Sequence, residues 1–277
     1  MLQMPELPEV ETIARALRNG NGTPALPGRR ILRVTIRWER HIAAPSPNRF
    51  RDRVQGRMIQ DVSRRGKYLV FPLDQDTLLI HLRMSGDLSL APASAPRDKH
   101  DHTIFELDDG WELRFNDARK FGRVYLLADP QEELGKLGPE PLDPGLNAEA
   151  LGIRLKRHRR LLKPLLLDQS FIAGLGNIYT DEALHRAGIH PLRRSHELTP
   201  EEVQRLWKAI QQSLEDGISH NGASIDWVYR GGAFQNHFRV YGRSGEPCPE
   251  CGTEIERIVV EQRGTHICPS CQREVES

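Results

Sequence analysis

An α+β fold, with its strands first and its helices later, is predicted by three features of the chain. Six short runs of β-branched and aliphatic residues lie between Ile31 and Leu127, each broken by turn residues. Beyond Asn147 the apolar spacing changes to that of helices, and from Tyr241 onward strand and turn signals return around four cysteines. At 277 residues the chain exceeds the usual size of one compact domain, so two domains with separate cores are expected.

The first element in order is PELPEVE, residues 5–11. Pro8 suits the opening turn of a helix, where a missing N–H costs nothing, and Glu9 and Glu11 favour the positive end of the helix dipole. The runs ILRVTI, KYLVF, LLIHLRM, TIFEL, WELRF and RVYLL follow and read as a β-sandwich or barrel. Between Asp129 and Asn147 the stretch GPEPLDPG has too little periodic apolar content for a strand or core helix, so a linker and a domain boundary are expected there. Helical spacing then covers LKRHRRLLKPLLLD, NIYTDEALHRAG and a segment opened by Thr199. Thr199 as N-cap, Pro200 at the first helical position and Glu202 at the third form a capping box, and the helix is expected to reach about Asp216 with Gly217 as its stop. No internal repeat or low-complexity tract is evident.

Composition narrows the function. No apolar run approaches the roughly 20 residues that a spanning helix needs, so a membrane role is not expected. Met1 to Glu11 has neither a basic nor an apolar signal region, which predicts a cytoplasmic location. A net charge of +1 excludes the bulk-basic kind of nucleic-acid binder; affinity for DNA would need lysines and arginines gathered on one face.

Cys248, Cys251, Cys268 and Cys271 form C-x2-C-x16-C-x2-C. Two such knuckles at the ends of a hairpin suit the tetrahedral sulfur cage that Zn2+ prefers. Two disulfides are the rival reading, disfavoured in a cytoplasmic chain that uses every cysteine in this spacing. Four thiolates leave no open position for a metal-bound water, so the zinc is expected to be structural. IVVEQRGTHI lies between the knuckles and would carry Arg263 at or near a hairpin turn.

Set in order, PELPEVE (5–11), HLRMSG (81–86), KHDH (99–102), DARKFG (117–122), LGPEP (137–141), GLGNIYTDEAL (174–184), VYGR (240–243) and the cysteine ribbon resemble the formamidopyrimidine-DNA glycosylase family, the Fpg/Nei family, over nearly the whole chain. PELPEV is similar to the oxidised-purine branch rather than the endonuclease VIII branch. The resemblance implies an N-terminal two-sheet β-sandwich catalytic domain (1–130), a linker (131–147), a helix-two-turn-helix domain (148–240) and a zinc-finger β-hairpin (241–277). It implies a glycosylase and AP lyase acting as a monomer on damaged double-stranded DNA, with one zinc ion. By the same carry-over Pro5 is the nucleophile, Glu6 the acid/base for sugar ring opening and Glu9 the residue that positions the terminus. Lys67 joins this catalytic group as a phosphate contact, with His100, Asn177 and Arg263 as further phosphate contacts. Met84, Arg119 and Phe121 would fill the gap left when the target base is flipped out.

Three departures from the family pattern affect these expectations. Met1, Leu2, Gln3 and Met4 precede the proline, and an amide nitrogen cannot attack because its lone pair is delocalised. Translation from Met4 with loss of that methionine would expose Pro5. Lys120 stands where the family often has a second arginine, which keeps charge but gives up bidentate geometry. GASIDWVYRGGAFQNHF, residues 222–238, is expected as a short lid over the flipped purine, leaving the ranking of damaged bases open. An oxidised-pyrimidine glycosylase and a binder that performs no chemistry are the alternatives.

Overall fold

The computed structural model describes residues 4–224 and 231–274. The chain divides into two compact units, Met1–Lys136 with Ser224–Gly232, and Leu137–Ala223 with Ala233–Ser277.

The first unit opens with α1 (Leu7–Asn19), whose Leu7, Val10, Ile13, Ala14 and Leu17 recur at helical spacing and are all buried. Its capping box uses glutamates at both ends: Glu6 is the N-cap, and the Glu6 N–H donates to Glu9 Oε2 at 2.8 Å. Strands β1 (Ile31–Ile36), β2 (Ile42–Ala44), β3 (Ser63–Arg65), β4 (Tyr68–Pro72) and β5 (Thr77–His81) follow, with α2 (Pro47–Val54) between β2 and β3. The unit continues through β6 (Gly86–Pro92), β7 (Asp101–Leu107), β8 (Trp111–Asp117), β9 (Arg123–Leu127) and one turn of helix, α3 (Gln131–Leu134).

These strands form a two-sheet sandwich. One sheet has the order β1-β7-β8-β6 and the other β2-β9-β5-β4-β3, with β2 parallel to β9 and every other pair antiparallel. Leu78, Ile80, Leu88, Phe105, Leu113, Phe115 and Val124 from the two sheets share one core with the apolar face of α1. α1 also packs on β3 and β4, which flank the turn that carries Lys67. The LLIHLRM run is strand only as far as His81, because Arg83 takes a left-handed φ of 56° and turns the chain before Met84.

In the second unit Asn147 caps α4 (Ala148–Lys156), its side chain accepting the Ala150 N–H at 2.9 Å. LKRHRRLLKPLLLD does not continue as one helix. Pro164 is tolerated only in a first turn, so the helix ends at Lys156 and restarts as α5 (Leu162–Leu167). α6 (Asn177–Ala187) ends on Gly188 in the left-handed region, φ 65°.

α7 (Pro200–Ser219) opens with the expected Thr199–Glu202 capping box but runs through Gly217 rather than stopping there. The glycine serves packing. A Cβ at Gly217 would stand 2.4 Å from Cε1 of Tyr179 on α6, so the two helices meet at this distance only without a side chain. The last element is a hairpin of β10 (Glu256–Val260) and β11 (Arg263–Ile267), closed by Glu261 and Gln262, both at positive φ as a two-residue hairpin turn requires.

Candidate functional site

Pro5 is buried immediately before α1. Beside it Glu6 and Glu9 are 2% and 3% exposed, and Lys67, in the β3–β4 turn, is 4% exposed. Buried charges are costly without partners, and their concentration at one place is typical of a site built for chemistry. Arg64 ties the turn to the helix, its Nε donating to Glu11 Oε2 at 3.0 Å.

The residues expected to fill a vacated base position occupy two turns. Met84 lies half-buried between β5 and β6, and Arg119 and Phe121 lie between β8 and β9. Phe121 is 45% exposed, which is unusual for a large apolar side chain, and the Arg119 guanidinium stands 5.0 Å from its ring centroid. Arg119 Nη1 is buried and has no hydrogen-bond partner among the described residues.

Asp117 binds the two turns together. Its Oδ1 accepts from Ser85 Oγ and from the Arg119 N–H at 3.3 Å, and its Oδ2 accepts the Gly122 N–H at 2.7 Å. Burial would push this carboxyl up; the contacts from His41, Ser85 and Gly122 outweigh it and hold the group at about 2. Phe115 sits beneath, so close that a Cβ at Gly86 would meet its Cε2 at 2.7 Å and one at Gly122 its Cζ at 2.3 Å. His100 is half-buried nearby, and its carbonyl accepts the Asp117 N–H at 3.0 Å.

In the second unit Asn177 begins α6 and Arg263 begins β11, exposed beside the hairpin turn. They meet through Gly264, whose carbonyl accepts from Asn177 Nδ2 at 3.0 Å. Asn177 Oδ1 is buried without a partner among the described residues. The same carbonyl accepts from Lys163 Nζ at 3.2 Å, and Lys163 also reaches Thr265 Oγ1 at 2.7 Å. Arg154 and Arg160 are engaged locally, Arg154 stacking on Phe171 at 5.3 Å and Arg160 pairing with Asp168 at 2.6 Å.

All four cysteine sulfurs lie within 4.8 Å of one another. The separations of 3.9 Å for Cys248–Cys271, 3.4 Å for Cys251–Cys268 and 3.5 Å for Cys251–Cys271 are far too long for disulfides. A tetrahedron of Zn–S bonds of about 2.3 Å sets its sulfurs about 3.8 Å apart, so one Zn2+ fits the cage. His185 on α6 supports it, with Nε2 3.4 Å from Cys248 Sγ. Glu182 on the same helix accepts the N–H groups of Arg239, Val240 and Tyr241 at 2.9 to 3.0 Å and so anchors the chain entering the ribbon.

Residues 225–230, the middle of the expected lid, lie outside the described residues. Sequence reading missed Asp117, Ser85 and His41 as parts of the site. HLRMSG and DARKFG contain the first two, but nothing in the sequence marks that their turns meet.

Comparison with known proteins agrees with this geometry. The profile of the formamidopyrimidine-DNA glycosylase N-terminal domain matches residues 4–124, that of the H2TH domain residues 137–228, and that of the zinc finger found in FPG and IleRS residues 245–273. The formamidopyrimidine-DNA glycosylase of Symbiobacterium thermophilum is 46% identical, over 97% of this chain and 89% of its own length. That of Herpetosiphon aurantiacus is 45% identical over 97% and 100%. Among solved structures, the Lactococcus lactis Fpg with abasic-site DNA has a TM-score of 0.89 at 37% identity, covering 97% of this chain and 100% of its own. MutM with DNA containing carbocyclic 8-oxo-G has a TM-score of 0.90 at 38% identity, covering 98% and 100%. With all three profiles matched in order and close relatives aligned end to end, the chain belongs to the formamidopyrimidine-DNA glycosylase family.

Proposed function

We propose that this chain excises oxidised purines, formamidopyrimidines and 8-oxoguanine, from duplex DNA and then cuts the abasic strand by β,δ-elimination, with the Pro5 nitrogen as nucleophile. The observation that carries this is the buried set at the head of α1, where Glu6 and Glu9 adjoin Pro5 with almost no exposed surface. Relatives solved with Fapy-dG, carbocyclic 8-oxo-G and abasic DNA support the substrate class.

The secondary amine attacks the deoxyribose C1′, the bond from C1′ to the damaged base breaks, and the base leaves with the bonding pair and takes up the proton that the amine nitrogen sheds. Glu6 delivers a proton to the ring oxygen as the sugar opens, leaving an iminium between C1′ and the proline nitrogen. That cation acidifies the C2′ proton; its loss expels the 3′ phosphate, a second elimination expels the 5′ phosphate, and water then frees the enzyme. Glu9 orients the terminus through the Glu6 N–H, and Lys67 holds a phosphate. Met84, Arg119 and Phe121 occupy the vacated base position. The orphaned Arg119 Nη1 suits hydrogen bonding to the unpaired partner base. His100, Asn177 and Arg263 take phosphates, and the zinc stiffens the hairpin that carries Arg263.

The mechanism requires an unacylated Pro5, which initiation at Met4 followed by its removal would supply. A single copy acting on damaged duplex DNA at the bacterial nucleoid follows from this reading. Among the described residues no helix is long and apolar enough to cross a membrane.

Borohydride trapping on 8-oxoguanine DNA, with forms beginning at Met1 and at Met4 side by side, tests the proposal. The form that exposes Pro5 is expected to give a covalent adduct on the pyrrolidine nitrogen, and a form retaining Met1 none. An adduct mapped to another side chain overturns the mechanism. Binding without trapping by either form identifies a non-catalytic binder, and trapping on thymine glycol in preference to 8-oxoguanine identifies a pyrimidine enzyme.

A further inference from the structure

We infer that His41 is a positioning residue for the two turns that carry Met84, Arg119 and Phe121, acting through the Asp117 carboxylate; this rests on the reading that those turns fill the place of an extruded base. His41 closes the single helical turn Glu39–His41 and has no exposed surface. Its ring packs on Phe115 at 4.8 Å between centroids and meets the His102 ring edge-on at 5.5 Å. Nδ1 is 3.3 Å from Thr103 Oγ1, and Nε2 is 3.3 Å from Asp117 Oδ2, within ion-pair distance but not aligned as a hydrogen bond. Both ring nitrogens therefore face polar atoms in a site closed to solvent, where a polar ring is retained at a cost unless it orients something.

Asp117 is what it orients. Oδ1 serves Ser85 and Arg119, while Oδ2 serves Gly122 and faces His41, so each carboxylate oxygen has two neighbours and the group cannot rotate without breaking contacts in both turns. Phe115 is wedged against Gly86 and Gly122 and leaves no slack below. The residues leading into His41 brace the same turn a second time: the Lys120 ammonium lies 4.6 Å from the centre of the Trp38 ring. A shift of about 1 Å in the placement of reacting groups can cost about a hundredfold in rate, so a lost brace here is felt in base extrusion. Pro5, Glu6 and Lys67 stand on other elements, so chemistry at an already extruded sugar is spared.

The test compares His41→Gln with His41→Asn in the full-length, zinc-loaded protein. A glutamine amide reaches the position of Nε2 and keeps the contact with Asp117, whereas an asparagine amide reaches only that of Nδ1. Single-turnover excision of 8-oxoguanine is expected to fall about tenfold in His41→Asn and less than about threefold in His41→Gln. Cleavage of a preformed abasic site is expected to change less than about twofold in both. Fluorescence of 2-aminopurine placed opposite the lesion, which reports insertion without chemistry, should weaken in step with excision. His41→Leu, which fills the site with apolar atoms, carries the same expectation as His41→Asn and replaces it if that variant does not fold.

Equal losses on both substrates, or Gln and Asn behaving alike, overturn the inference. A parent protein that traps normally while the variants fail to separate overturns this inference alone. A parent that never traps overturns the proposed function, and the 2-aminopurine signal then still decides the role of His41.

Discussion

Lys163 Nζ stands 2.5 Å from Asp181 Oδ1, and neither side chain has surface open to solvent. The second oxygen of Asp181 accepts the His266 N–H at 2.9 Å, so one carboxylate joins α5, α6 and β11. Removing one partner of such a pair strands the other charge in a low-dielectric interior. Lys163→Met is therefore expected to lower the unfolding free energy by about 3–5 kcal/mol, whereas Lys163→Met combined with Asp181→Leu recovers much of the loss. Urea denaturation of the two variants checks this; a single variant as stable as its parent would show that the charge is not confined as described.

The turn into Met84 has its own pH dependence. Burial, and after it the charges of Arg83 and Lys67, push the His81 imidazole down to about 3. Its neutral Nδ1 accepts the Arg83 N–H at 3.0 Å, which holds the left-handed residue before Met84. The unfolded chain binds a proton near 6.5 and the folded chain does not, so this contribution to stability falls as pH drops from about 6.5 toward 3. His102, His185 and His190 shift the same way, and a variant separates His81 from them. His81→Gln is expected to lose less stability than its parent between pH 6.5 and 4, and ring NMR signals should show His81 neutral at pH 5. Ordinary titration of His81 near 6.5 would contradict both.

What could be read from the chain, and what could not, follows from the range of the interactions. β1, β4, β8 and β9 were visible because Ile31, Leu69, Leu113 and Val124 belong to β-rich runs bounded by turn residues. β3 is three residues, Ser63–Arg65, at a sheet edge, and its polar composition carries no strand signal. β2 exists only because Ile42 pairs in parallel with Val124, far along the chain. The site divides the same way. Pro5, Glu6 and the cysteines are local motifs, so resemblance reached them. Asp117 gains its role from Ser85 and His41, 32 and 76 positions away, and only folding brings those residues together. Gly217 looked like a helix stop because its actual constraint, the Tyr179 ring, comes from another helix.

Zinc removal should act on the ribbon before the sandwich. Cys248 and Cys268 are part of the small core with Val240 and Ile255, so loss of the metal, with the sulfurs taking up protons, removes the cross-link that holds this small core together. One zinc per chain is expected, with all four thiols shielded from a thiol reagent until a chelator is added. After chelation, affinity for damaged DNA should fall while the thermal transition of the N-terminal unit persists. Full reactivity of the thiols in the untreated protein would show that the cage holds no metal.

Arg263 offers the sharpest separation between gripping DNA and reading it. It is exposed at the first position of β11, and everything holding that position in place is buried: Gly264 between Lys163 and Asn177, and Thr265 bonded back to the Arg263 carbonyl at 3.1 Å. A guanidinium presented this way can neutralise a phosphate without a base edge in reach, so its energy is electrostatic and independent of sequence. Arg263→Ala should weaken binding to damaged and undamaged duplexes alike and reduce the slope of log affinity against log salt by about 0.9, the share of one phosphate contact. Because the side chain is exposed, the melting temperature should hardly move. Titrations at several salt concentrations read both quantities; an unchanged slope removes Arg263 from the DNA, and a loss confined to damaged duplex means that it reads the lesion instead.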